Sequence, residues 1–158
     1  MEPYNKLLVQ LDSANFDTFG FTQNNMDFVS LLAPSSRIKN TNVQCEYEFE
    51  SLVENQRGLM FFGITFFSSK SLLPVLDPPL FLRLNGKRVR LPYDSIDNFV
   101  LPDFDWIWAW SLWYVLMLHD VDDLGWAYLR VWGKHWHGKY QFGDTVRRRV
   151  WIRMRQRG

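Results

Sequence analysis

Val146-Arg147-Arg148-Arg149-Val150-Trp151-Ile152-Arg153-Met154-Arg155-Gln156-Arg157 alternates along nearly its whole length. Odd positions hold Arg147, Arg149, Trp151, Arg153, Arg155 and Arg157. Even positions hold Val146, Val150, Ile152 and Met154, with Arg148 as an exception. Successive side chains of a β-strand point to opposite faces, so the stretch predicts a strand with one aliphatic face and one of arginine and tryptophan. A second stretch supplies its complement. Tyr47, Phe49 and Val53 share one parity, while Glu46, Glu48, Glu50 and Glu54 share the other. That is the pattern of a half-buried strand with an acidic face. Charge complementarity and shared parity predict that Val146–Arg155 lies antiparallel to Tyr47–Arg57.

Two further stretches carry tryptophan on one parity. Asp105–Tyr114 places Trp106, Trp108, Trp110, Leu112 and Tyr114 at even positions, and Gly125–Trp132 places Trp126, Tyr128, Arg130 and Trp132 there. The first is expected near the arginine strand. A guanidinium stacked on an indole contributes about 0.5–1 kcal/mol when exposed and about 2 kcal/mol when desolvated. Arginine suits this contact because it is planar and weakly hydrated. Trp106, Trp108, Trp110, Trp126, Arg147, Arg149, Trp151 and Arg153 are therefore expected to form a structural ladder. Trp126 and Trp151, at strand centres, are expected to be largely buried. The other use of such a row is an exposed arginine surface that binds anions.

The remaining punctuation is simple. Gly58–Phe67 reads as an apolar strand pair or a buried strand. Pro74, Pro78 and Pro79 mark a loop, and Asn85-Gly86 marks a hairpin turn between Phe81–Leu84 and Arg88–Leu91. Met1–Asn42 shows no period. The expected organisation is a loosely structured arm over residues 1–44 and one β-domain over 45–158. A chain of 158 residues suits one domain.

Composition excludes several classes. Net charge is +1 with 17% aromatic residues, so disorder is not expected over most of the chain. That balance, and arginines matched to tryptophan within a sheet, argue against a nucleic-acid partner. The lone Cys45 allows no internal disulfide and fits a reducing compartment. Met1–Asn15 has no apolar stretch of the signal-peptide kind. The longest uncharged run, Trp106–Leu118, is too short to span a bilayer, so membrane association is expected to be peripheral.

No catalytic constellation stands out. His135-x-His137 would share a strand face, but no third metal ligand is placed. His119-Asp120 lacks a nucleophile in a recognisable turn. Asp120, Asp122 and Asp123 do not match a calcium-loop spacing, and no glycine-rich phosphate cradle exists. Neither enzyme activity nor a metal or cofactor is expected. Loop cations beside aromatics suit a membrane interface better than stacked arginines do. Lys87, Arg88 and Arg90 follow the Asn85-Gly86 turn, and Lys134 and Lys139 flank Trp136. These five are the candidate lipid-binding residues. A merely solvated hairpin is the plainer reading of Lys87–Arg90.

Motifs from Cys45 to Gly158 resemble the dysferlin-domain family. Val53-Glu54-Asn55-Gln56-Arg57, Pro78-Pro79-Leu80-Phe81, Phe99-Val100-Leu101-Pro102 and the spaced Trp106, Trp108, Trp110 and Trp113 are similar to its N-terminal half. Asp123-Leu124-Gly125-Trp126-Ala127-Tyr128, Trp136 and Val146–Arg153 are similar to its C-terminal half. Phe81 stands where relatives tend to have Trp, and Ile107 where a charged residue is common. The resemblance implies an all-β, antiparallel, sandwich-like domain with long strands, stacked Arg–Trp pairs and no enzyme activity. The chain is most similar to small stand-alone members of yeast sporulation. This implies a membrane-associated adaptor in prospore-membrane expansion and spore-wall formation, cytoplasmic and peripheral on that membrane. The implied partners are an acidic phospholipid surface, phosphatidic acid in particular, and sporulation adaptor proteins. The alternative is a protein-only interaction module of a peroxisome or endoplasmic-reticulum membrane-shaping complex.

Overall fold

Two twelve-residue strands organise the domain. β1 (Glu46–Arg57) and β9 (Val146–Arg157) pair antiparallel over their full length, from Glu46 opposite Arg157 to Arg57 opposite Val146. At about 3.4 Å per residue this ribbon is about 40 Å long. The computed structural model describes residues 46–117 and 120–158. The expected arm over 1–44, Cys45 and His119 lie outside the described residues.

Short strands line both edges of the ribbon. β4 (Phe81–Leu82) pairs with β1, and β5 (Arg88–Val89) pairs with β4. β6 (Trp106–Trp108), β7 (Tyr114–Val115) and β8 (Ala127–Leu129) follow one another along β9. Together they make one antiparallel seven-stranded sheet, and β2 (Met60–Phe61) with β3 (Ile64–Thr65) form a separate hairpin. The fold is all-β, as the alternation predicts.

Parity decides what each face buries. Phe49, Val53, Val150, Ile152 and Met154 pack with Trp110, Leu116 and Trp136 on one side. Leu52 packs with Phe81, Leu91, Phe99 and Trp113 on the other, and a smaller cluster joins Phe67, Trp126 and Tyr128. Apolar material covers both faces, so the arginine side of β9 is itself an interior layer.

The structure corrects three expectations. Asp105–Tyr114 is not one strand. The backbone N–H groups of Ala109 and Trp110 both donate to the Met154 carbonyl, at 2.9 and 3.2 Å. Two residues thus oppose one, a β-bulge, and the bulge shifts parity. Trp110 therefore packs edge-on against Phe49, 5.3 Å between ring centres, away from the arginine row. Gly125–Trp132 keeps strand geometry only over Ala127–Leu129. Trp151 is partly exposed, unlike the buried Trp126; its indole leans toward β1, where it donates to Glu54, and packs at the margin of the Leu52 cluster. Of the two readings of Gly58–Phe67, the strand pair is present, and its side chains point outward.

Candidate functional site

The arginine row of β9 meets aromatic rings along its length. Arg147 lies between Phe67 and Trp126, 4.8 and 4.0 Å from the ring centres. Arg149 lies between Trp126 and Trp151, at 4.2 and 4.7 Å. Arg153 covers Trp108 at 4.1 Å, and Arg155 and Arg157 flank Trp106 at 4.3 and 4.6 Å. The acidic face of β1 neutralises this layer. Arg149 donates to Glu54, which also accepts from the Trp151 indole. Arg155 reaches Glu48 and Glu50, and Arg147 makes two hydrogen bonds to Gln56. Arg153 instead donates to the carbonyls of Trp110 and Ser111, fixing the bulged segment. Arg147, Arg149, Arg153 and Arg155 are thus held by stacking and hydrogen bonding at once, a poor state for binding a new anion.

Sequence reasoning missed a second stack. Arg148 points to the opposite face and lies 5.2 Å from the Trp132 ring and 4.5 Å from Trp136. Burial lowers its guanidinium to about 10, so it stays charged at neutral pH. Its even position among aliphatic residues was the available signal.

Three loops converge on the end of the ribbon where Arg57 opposes Val146. The β2–β3 hairpin leaves β1 at Gly58, whose N–H donates to the Thr145 carbonyl. The loop that follows is tied in by Asp77, a buried carboxylate. Asp77 accepts two bonds from Arg57, one from the Leu73 N–H and one from the Trp132 indole. The β8–β9 loop joins the hairpin through Tyr140, whose hydroxyl donates to the Met60 carbonyl. Hydrogen bonding from Arg57 holds the Asp77 carboxyl well below the ordinary carboxylate range, against the opposing effect of burial.

These loops carry large exposed apolar side chains. Phe62 is 88% exposed, Val75 91% and Phe142 93%, and Phe61, Ile64, Phe66, Leu76 and Val131 are exposed as well. Segments 58–76 and 130–143 contain Lys70, Arg130, Lys134 and Lys139 and no Asp or Glu. Segment 92–105 has the reverse character. It exposes Tyr93, Val100 and Phe104 among Asp94, Asp97, Asp103 and Asp105, with no Lys or Arg. It leads into β6, which starts opposite Arg157, at the far end of the ribbon.

The five candidate lipid-binding residues do not form one patch. Lys134 and Lys139 are exposed in the β8–β9 loop, at the Arg57 end. Lys87, Arg88 and Arg90 are exposed on the β4–β5 hairpin, at the other edge of the sheet. Leu82 opposes Val53, so that hairpin tip runs toward Glu50, which Arg83 contacts at 2.9 Å.

The β8–β9 loop also encloses an open groove of about 540 Å³, lined in part by Arg130, Val131, Lys134, His137, Phe142 and Asp144. Asp144 is buried and lies 2.7 Å from His137, while His135 is exposed at φ 67°. The two imidazoles therefore do not share a strand face. Among the described residues, no three His, Cys, Asp or Glu side chains are grouped to hold a metal ion. Among them, too, no helix is long and apolar enough to cross a membrane.

This two-ended architecture can be set beside known proteins. No family model matches the chain. It is 37% identical over 123 residues to sporulation-specific protein 73 of Saccharomyces cerevisiae, an alignment covering 65% of this chain and 82% of that protein. The chain belongs to the family of that protein. It is also 43% identical over 108 residues to meiotically up-regulated gene 65 protein of Schizosaccharomyces pombe. That alignment covers 67% of this chain but 42% of the relative, so the chain spans less than half of it.

Proposed function

We propose that the chain is a non-enzymatic, membrane-associated adaptor of fungal sporulation, built as a dysferlin-type domain and peripheral on the prospore membrane. Membership in the family of a sporulation-specific protein carries the sporulation assignment. The dysferlin reading is supported by the Arg–Trp stacks on one face of a ribbon of two long antiparallel strands. Recognition of acidic lipid, phosphatidic acid in particular, is supported by the cationic, apolar loop end opposite an acidic one. The adaptor reading has support of its own. Exposed aromatics among four aspartates suit a basic protein surface and are repelled by an anionic bilayer. The protein-only alternative rests on that same acidic rim.

Two measurements test the proposal. The chain is expected to restore spore formation in Saccharomyces cerevisiae lacking sporulation-specific protein 73, and to float with vesicles containing phosphatidic acid but not with phosphatidylcholine alone. Rescue without any vesicle binding would replace the lipid-binding adaptor by the protein-only one. Failure of both would remove the proposed function.

A further inference from the structure

The loops at the Arg57 end carry backbone strain at their tips. Phe62 has φ 49° and is followed by Gly63 at φ 74°, two consecutive left-handed residues at the β2–β3 turn. Asn or Gly is the usual occupant of the first such position, because a bulky Cβ is disfavoured there. Val75, at φ 71°, is a β-branched residue in the same region of conformational space. Each strained residue is almost fully exposed, and the ring that Phe62 meets edge-on, Phe61 at 4.3 Å between centres, is itself exposed, so burial within the described domain does not account for their size. Large apolar side chains at strained, solvent-facing tips point to a contact made outside the domain.

Charge selects the occupant. Lys70, Arg130, Lys134 and Lys139 stand in the same loops as these tips. Asp77 and Asp144 are buried and already bonded, and an exposed carboxylate beside them is Asp120, whose backbone packs against Gly138 next to Lys139. The opposite aromatic rim carries only acidic charge. Apolar tips on loops whose exposed charges are mostly cationic match a bilayer interface, where side chains enter among headgroups and cations meet phosphate.

We infer that this end of the ribbon is a bilayer-insertion rim. Phe61, Phe62, Val75 and Phe142 enter an anionic membrane, while Lys70, Arg130, Lys134 and Lys139 contact its phosphates. This deepens the proposed function and rests on its membrane reading. The groove between Arg130, Lys134 and Phe142 provides a seat for a headgroup beside an inserted ring. The rigid ties through Asp77 and Tyr140 hold the three loops as one surface, so insertion needs no refolding.

The test uses the full chain and vesicles of phosphatidylcholine with or without phosphatidic acid. Phe62→Asn with Val75→Asn suits the left-handed backbone better than the native residues do, so the fold is retained. The double variant is expected to lose about tenfold or more in affinity for the anionic vesicles, the effect of withholding large apolar side chains from the interface. Tyr93→Ser with Phe104→Ser, at the acidic rim, is expected to bind as the wild type does. A solvatochromic dye on Phe62→Cys, in a Cys45→Ser background, is expected to shift to the blue on anionic vesicles, whereas the same dye on Phe104→Cys does not shift. If the wild type binds and the double variant binds equally, the insertion rim is overturned while the membrane reading stands. If the wild type binds no vesicle, both fall. A wild-type dimer that the double variant abolishes, with vesicle binding unchanged, would assign the rim to a second copy and overturn the inference.

Discussion

The Arg147 guanidinium lies 4.0 Å from the Trp126 ring centre, with Arg149 against the same ring at 4.2 Å. One buried indole thus holds two neighbouring like charges of β9 in place. Trp126 is 2% exposed. Truncation to alanine removes its packing and leaves both guanidiniums without their shared platform. Trp126→Ala is expected to cost about 3–5 kcal/mol, a large part of an ordinary domain's stability. Trp151 is only partly buried, so Trp151→Ala is expected to cost less. Chemical denaturation of the two variants checks the order; equal losses would contradict it.

The ribbon is the part of the fold most legible in the sequence. Glu46–Glu54 and Arg147–Arg157 announce both strands, their facing sides and their antiparallel pairing, because period two holds at nearly every position there and the charges are opposite. The Asn85-Gly86 turn is equally local, with Phe81 opposite Val89 around it. Trp110 was not legible. A bulge is a one-residue change in backbone pairing with no sequence mark, and it reverses every parity assignment beyond it. Arg148 shows a different limit: its stack on Trp132 and Trp136 depends on a loop folding back over the sheet. Among the candidate cations, sequence placed Lys134 and Lys139 on loops. Only the tertiary arrangement joins them to the Phe62 tip, because composition does not tell an exposed apolar hairpin from a buried strand.

Asp77 gives the domain an acid sensitivity of predictable sign. Its folded carboxyl titrates well below the unfolded value, through hydrogen bonds from Arg57, Leu73 and Trp132. The stabilisation is complete above the unfolded carboxylate value, about 3.9. It is lost progressively as pH falls below that value toward the folded one. Asp77→Ala is expected to destabilise by about 2–3 kcal/mol at neutral pH, since Arg57 and Trp132 lose their acceptor. The variant's stability should also fall less between pH 5 and pH 2, to be read from denaturation midpoints. A parallel fall in both proteins would show that Asp77 does not carry the effect.

Gly58 sets the angle at which the hairpin leaves β1. A Cβ placed there would stand 2.3 Å from the Phe66 carbonyl oxygen and 2.6 Å from the Phe67 Cα, both backbone atoms. Main chain cannot yield as a flexible side chain can, so Gly58→Ala is expected to displace the hairpin and loosen Phe67 beneath Arg147. Gly63, with nothing within 4 Å of a Cβ but a φ of 74°, tests backbone conformation alone. Thermal melts should show Gly58→Ala well below Gly63→Ala, whose cost is expected near 1 kcal/mol.

Two cation sets on separate edges of the sheet allow a clean comparison. Lys70, Lys134 and Lys139 stand beside exposed apolar tips; Lys87, Arg88 and Arg90 stand on a hairpin without such tips among Lys87–Arg90. A cation near an anionic surface contributes about 1 kcal/mol, and that contribution is screened within a Debye length. Replacing Lys70, Lys134 and Lys139 together by glutamine is therefore expected to weaken binding to phosphatidic-acid vesicles by about a hundredfold, as three such contributions imply. The salt dependence should flatten at the same time. Both triple variants should melt as the wild type does, because none of the six makes an ion pair among the described residues. Neutralising Lys87, Arg88 and Arg90 should change binding only slightly, through the protein's overall charge. The opposite ranking, with the hairpin triple losing most, would move the membrane contact to the β5 edge and leave the exposed Phe62 tip without a lipid role.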